Sequence, residues 1–178
     1  MSVTFYSISC TNCTFSGSSL ATVGKFVWVC DGEVFPIDRR LGLCLDCNKI
    51  VAIEDLPGDE TMERARFIRA TYTGQPLFKL LEPDHAKYLA SQNGFAVLET
   101  VIGLRREPVC LGCGKSAVRP INIPEGVNSE TPVSIGLGHP WCAGTLQVKH
   151  SGGMRIGLRI ETREYDIHGR FVKKYFAD

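Results

Sequence analysis

Four ligand pairs constrain this chain more than any other feature: Cys10/Cys13, Cys44/Cys47, Cys110/Cys113 and His139/Cys142. Each places two metal-binding side chains two residues apart, the spacing at which one turn of chain wraps a single ion. Together they offer eight ligands, enough for two tetrahedral zinc sites. One such pair is weak evidence for metal, but four are strong. Taking neighbours along the chain as partners, Cys10, Cys13, Cys44 and Cys47 are expected to form one site of four thiolates. Cys110, Cys113, His139 and Cys142 are then expected to form a second, of three thiolates and an imidazole. His139 is preferred to His150 because His139-Pro140-Trp141-Cys142 has the spacing of a knuckle.

Size agrees with that reading. The chain has 178 residues, 44% hydrophobic and 22% charged, the composition of a globular protein. Divided between two metal regions, it leaves units too small to bury much apolar surface, and a structural metal is a standard remedy. Eight cysteines also allow four disulfides. However, Met1–Cys10 lacks the basic and apolar segments of a secretory signal, and no apolar run approaches the ~18 residues that span a bilayer. A cytoplasmic, reducing location and no membrane partner are therefore expected, and there such pairs read as metal ligands.

The expected fold is α+β and mostly β: two zinc ribbons, small antiparallel sheets with zinc knuckles, joined by a short helical segment. The boundaries are 1–55 for the first ribbon, 56–104 for the connection and 105–178 for the second ribbon with its extended sheet. In the first, Thr4–Ile8, Lys25–Cys30, Glu33–Ile37, Leu41–Leu43 and Lys49–Ile53 read as strands, with Asp31-Gly32 as a hairpin turn. In the connection, Met62, Ala65, Ile68 and Tyr72 recur at helical spacing over Thr61–Tyr72, with Asp59 as a cap. A second helix is expected over Pro83–Gln92, ending at Asn93-Gly94, and Phe95–Leu104 reads as a strand. In the last region Ala117–Ile123, Thr145–His150, Met154–Thr162 and Glu164–Phe176 read as strands. Ser151-Gly152-Gly153 and His168-Gly169 are the expected turns, and Pro124–Gly138 a long loop.

The segments SCTNC, LCLDC and VCLGCG resemble the knuckles of zinc-ribbon, rubredoxin-like proteins. The resemblance covers roughly 100 of the 178 residues and rests mainly on the ligands. It implies zinc, two ions per chain, with iron as the rival at a site of four cysteines, and a binding or scaffolding role. It implies no particular activity.

The rest of the sequence divides two function classes. Net charge is +1, but residues 1–103 carry nine Lys/Arg against twelve Asp/Glu, and residues 104–178 carry eleven against seven. An anionic partner would therefore prefer the C-terminal part. Alternation over 154–163 sends Met154, Ile156, Leu158 and Ile160 to the core and sets Arg155, Arg159 and Arg163 in a row about 13 Å apart. Such a row meets phosphates, or is only a solvated face. Phe67, Leu77, Phe78, Leu80 and Leu81, with near-neutral charge, favour protein contacts instead. The leading expectation is a zinc-stabilised binding or adaptor protein acting through protein–protein contacts; nucleic-acid binding by the basic face is the alternative. Catalysis ranks third, because no nucleophile–base pair, phosphate loop or open metal site stands out. A zinc deaminase is excluded by the lack of an H-x-E or C-x-E segment before Cys110. Cys30 alternates with Phe26 and Trp28 and reads as a buried structural thiol. Asp38-Arg39-Arg40 and Arg105-Arg106 read as solubilising charges near the knuckles, and Trp141 as packing over the metal.

Overall fold

The computed structural model describes residues 2–71, 92–105, 107–155 and 160–176. Its strands form three small sheets, and the helices pack on one of them. The first sheet has the order β2-β1-β9-β8, from β1 (Ser2–Cys10), β2 (Ser16–Ser18), β8 (Val133–His139) and β9 (Gly144–Arg155). The second has the order β11-β10-β3-β4, from β3 (Lys25–Cys30), β4 (Glu33–Pro36), β10 (Glu161–Tyr165) and β11 (Phe171–Phe176). The third has the order β6-β5-β7, from β5 (Arg39–Cys44), β6 (Lys49–Glu54) and β7 (Val118–Pro120).

Alternation explains the strands and where they bury. In β3, Phe26 and Trp28 are buried with an exposed or half-buried residue on either side. The β3–β4 hairpin turns at Asp31-Gly32, whose φ values of 51° and 81° are both in the left-handed region, as a type I′ turn requires. Helix α1 (Asp59–Thr71) buries Met62, Ala65 and Ile68, and Asp59, expected as its cap, is its first residue. These three pack with Phe95, Leu98 and Val101 of α2 (Gln92–Leu104) onto Phe26, Trp28 and Tyr165 of the second sheet. A separate core lies between the first and third sheets, built from Ile8, Leu41, Leu43, Ile50, Leu146 and Val148.

Both sheets that carry β1 and β3 draw strands from the two ends of the sequence. β1 runs antiparallel to β9 from Ser2↔Arg155 to Cys10↔Leu146, and β3 runs parallel to β10 from Lys25↔Thr162 to Trp28↔Tyr165. In the third sheet, β5 pairs with both β6 and β7. The sheets therefore cross the boundaries expected at residues 55 and 105.

Several local expectations are corrected. Phe95–Leu104 is helical, not a strand: Phe95, Leu98 and Val101 are buried at a spacing of three, the period of a helix face. Asn93-Gly94, expected to stop a helix, lies in its first turn. Ser151-Gly152-Gly153 is not a hairpin loop. β9 continues through it, with Tyr6 opposite His150 and Phe5 opposite Gly152, so Ser151 is the extra residue of a β-bulge and Gly152 takes the left-handed φ of 109°. The Pro124–Gly138 loop contains most of β8. Ser16–Ser18, unassigned from sequence, forms the short strand β2. The helix expected over Pro83–Gln92 lies outside the described residues apart from Gln92. So do Tyr72, Leu77, Phe78, Leu80, Leu81, Arg106, Ile156, Leu158 and Arg159.

Candidate metal centres

The structure gathers all eight predicted ligands into two clusters, but not in the expected partnership. One, the histidine cluster, is Cys10, Cys13, His139 and Cys142; the other, the all-cysteine cluster, is Cys44, Cys47, Cys110 and Cys113. The first knuckle thus joins the fourth and the second joins the third. The sheets dictate this exchange. β1 ends at Cys10 and β9 begins just after Cys142, and their antiparallel ladder sets Cys10 opposite Leu146. β5 ends at Cys44, which lies opposite Val118, just beyond the third knuckle.

In the histidine cluster, Sγ of Cys10 is 3.3 Å and Sγ of Cys13 is 3.4 Å from Sγ of Cys142. The Nδ1 atom of His139 lies 3.0 Å from Sγ of Cys142 and 3.4 Å from Sγ of Cys13. The two turns are clamped together: Thr11 N–H donates to the Thr145 carbonyl (3.0 Å), Thr145 N–H to Thr11 Oγ1 (3.0 Å), and the Asn12 side-chain amide to the Cys142 carbonyl (2.9 Å). His139 is 3% exposed and packs against the Phe15 ring, centroids 4.4 Å apart. Trp141 lies beside the His139 ring but is 51% exposed, so its expected packing over the site is only partial.

In the all-cysteine cluster, Cys44 and Cys113 sulfurs are 3.6 Å apart, and those of Cys47 and Cys110 3.8 Å. The third knuckle is held against β6 by the Leu111 N–H donating to the Ala52 carbonyl (3.0 Å) and by the bridge between Ile53 and Cys110. Tyr165, buried, donates its hydroxyl to the Leu111 carbonyl at 2.6 Å, and burial pushes its phenol pKa up to about 12. A buried ion pair completes the support. Glu54, fully buried, takes the Arg105 guanidinium on both carboxylate oxygens. The same carboxylate accepts from Trp28 Nε1–H (3.1 Å) and from the N–H of Val109 (3.3 Å), the residue before Cys110. Arg105 is therefore not a solubilising charge but a strut of the knuckle.

These separations fit metal. A Zn–S bond of ~2.3 Å sets a tetrahedral S···S edge of about 3.8 Å, and a mixed S···N edge of about 3.6 Å. The distances in the all-cysteine cluster match, and those in the histidine cluster fall slightly inside. All eight cysteines are free thiols. Without an ion, burial opposes the thiolates and raises Cys47 to about 12 and Cys142 to about 11. At Cys10 burial is outweighed by hydrogen bonds from the Asn12 backbone and from Cys142 and Cys13, which lower its pKa from the ordinary thiol value. N–H···S bonds recur: Asn12 N–H points at Cys10 Sγ (3.4 Å) and Gly112 N–H at Cys110 Sγ (3.3 Å). In three of the four pairs the residue after the second ligand has a left-handed φ: Asn48 at 46°, Gly114 at 72° and Ala143 at 48°.

Of the expected arginine row, Arg159 lies outside the described residues. Arg155 ends β9 in the first sheet, whereas Arg163 lies in β10 of the second, paired with Glu161 and stacked over Phe26. Met154 and Ile160, expected in the core, are 39% and 36% exposed. Cys30 is half-buried against the helix-bearing core, and burial together with Asp31 and Glu33 raises its thiol pKa. Arg39 donates to the carbonyls of Thr22 and Gly24, while Arg40 pairs with Asp55 at 3.3 Å. Sequence reading missed Asn48, whose Oδ1 lies 3.0 Å from His139 Nε2, and Glu54. A polar residue next to a ligand, or an acid ending an apolar strand, was the only available signal.

No family model matches this chain, and no curated protein or solved structure matches it either.

Proposed function

We propose that the protein is a zinc-stabilised binding or adaptor protein with two structural Zn²⁺ ions, working through protein–protein contacts in a reducing, cytoplasmic setting. The observation that carries this reading is the closure of both clusters. Each offers four soft or borderline donors within 4.8 Å of one another, so an ion bound there has no coordination position left for water or substrate. Such ions hold chain segments together rather than activate a reactant. Iron is the rival in the Cys44/Cys47/Cys110/Cys113 cluster, because both metals accept tetrahedral sulfur.

Binding falls to what the scaffold displays. β11 is the edge strand of the second sheet and all six of its residues are exposed, with Phe171, Val172, Tyr175 and Phe176 presenting apolar area. Among the described residues its outer ladder is unpaired, which suits a partner strand. Phe67 on α1 is exposed too. One observation favours nucleic acid as a second reading. A hollow of about 530 Å³ beside the all-cysteine cluster is lined by Cys113, Gly114, Lys115, His168 and Arg170.

Elemental analysis of protein purified without added metal should give two zinc ions per chain, and a red protein would signal iron. Cross-linked capture from the native host should recover a protein that a Phe171→Ser/Phe176→Ser variant no longer holds. Capture unchanged by the variant would refute β11 as the contact. Anisotropy with DNA and RNA at low and moderate salt tests the second reading: salt-sensitive binding lost in Lys115→Ala/Arg170→Ala would support it.

A further inference from the structure

The two clusters are separated by one residue's reach. Asn48 directly follows Cys47, a ligand of the all-cysteine cluster, and its side-chain Oδ1 lies 3.0 Å from Nε2 of His139, a ligand of the histidine cluster. Nδ1 of the same ring faces Cys13 and Cys142, and an ion bound there would leave the proton on Nε2, which would then donate to Asn48. We propose that Asn48 is a positioning residue that couples the two metal centres, so that filling the all-cysteine site raises the affinity of the histidine site. The inference rests on the reading that both clusters hold metal.

The physical chain is short. An ion bound by Cys44 and Cys47 fixes the second knuckle. The turn out of that knuckle needs a left-handed residue, and Asn48 occupies it with φ 46°. Asparagine tolerates this region better than most residues and adds a short carbonyl arm. Anchored there, Oδ1 holds the buried imidazole in the tautomer and orientation that present the Nδ1 lone pair to the other ion. When the second knuckle is metal-free its turn is no longer held, and the imidazole loses that fixed acceptor. Outer partners of this kind typically change metal affinity roughly 10–100-fold. By linkage the effect is reciprocal: an ion at His139 strengthens binding at Cys47 by the same factor.

Cobalt titration of the metal-free chain tests the idea, because the all-sulfur and the mixed sulfur–nitrogen donor sets give different d–d bands. In the unmodified protein both sets of bands should grow together. Asn48→Gly keeps the left-handed turn but removes the acceptor. It should lower Co²⁺ affinity at the histidine site roughly 10–100-fold and leave the intrinsic affinity of the all-cysteine site near its original value. The sites should then fill in sequence, the all-cysteine site first. Asn48→Asp retains an oxygen acceptor and should restore joint filling. Cys47→Ser should weaken the histidine site in the Asn48 protein but have no further effect on it in the Asn48→Gly background. Joint filling with unchanged affinity at the histidine site in Asn48→Gly would overturn the coupling while leaving two metal sites standing. Absence of sulfur-to-cobalt charge-transfer bands in the unmodified protein would instead overturn the metal reading and the coupling with it. Far-UV circular dichroism of each loaded variant reports the fold independently.

Discussion

Replacing Arg105 by leucine should destabilise the protein by about 3–5 kcal/mol, the cost of stripping one partner from a buried ion pair. The structure explains why the figure belongs at that level. The Glu54 side chain has no exposure and that of Arg105 only 14%. After the substitution the carboxylate keeps two neutral donors, Trp28 Nε1–H and the Val109 N–H, against a full buried charge. The Ile167 carbonyl also loses its donor, Arg105 Nε, now at 3.0 Å. For a chain of this size each kcal/mol moves the melting temperature by roughly 2–4 °C, so a fall of about 6–20 °C is expected. Urea melts followed by circular dichroism at fixed zinc concentration would measure it. Because Val109 precedes Cys110, the all-cysteine site should also lose metal to a chelator faster. The deciding comparison is Arg105→Leu/Glu54→Gln. The amide removes the buried charge, and its single carbonyl oxygen still accepts from one of the two N–H groups, which bond different carboxylate oxygens, so the double variant should be more stable than Arg105→Leu alone. A loss below about 1 kcal/mol in the single variant, or further loss in the double, would refute the reasoning.

Three further outcomes are expected. Cys13→Ser should remove one metal equivalent and open Cys10 and Cys142, but not Cys44 or Cys47, to alkylation mapped by mass spectrometry; reaction at Cys44 and Cys47 would restore the sequential pairing. Gly144→Ala should abolish the histidine site, because its Cβ would collide with Cys10 Sγ and come within 2.8 Å of Asn12 Cβ, whereas Gly138→Ala, with nothing within 4 Å, should keep both ions in elemental analysis. Ala143→Gly should raise stability by about 1 kcal/mol in denaturant melts, since alanine is strained at its φ of 48°.

The four pairs were legible in the sequence because they are a matter of local spacing; which pairs meet in one cluster was not, because it is a matter of strand pairing. Proximity along the chain is a weak guide. Cys13 lies 31 positions from Cys44 and 126 from His139. That difference is two doublings of loop length, and each costs only about 0.6 kcal/mol. The β1–β9 ladder outweighs it easily. The same distinction runs through the fold. Phe26/Trp28 alternation and the Asp31-Gly32 turn are local and were read correctly. Phe95–Leu104 is apolar on several sides, and only packing against Met62, Ala65 and Ile68 decides between helix and strand. The two described arginines of the expected row show the same dependence on pairing: Arg155 and Arg163 belong to different sheets.

The crossed partnership has a consequence during synthesis. The clusters are nested like brackets, the Cys44–Cys113 pair inside the Cys10–Cys142 pair. A ribosome adding about 5–20 residues per second exposes Cys10 and Cys13 roughly 6–25 s before His139 emerges. During that interval the nearest Cys-x-x-Cys pair to the first knuckle is Cys44 and Cys47, its wrong partners. An ion captured early by those four sulfurs must be surrendered before β9 arrives to complete the first sheet. On the proposed zinc reading, the nascent chain is therefore expected to fold fastest where free zinc is scarce or ligand exchange is quick, and excess zinc should slow its maturation while stabilising the finished protein.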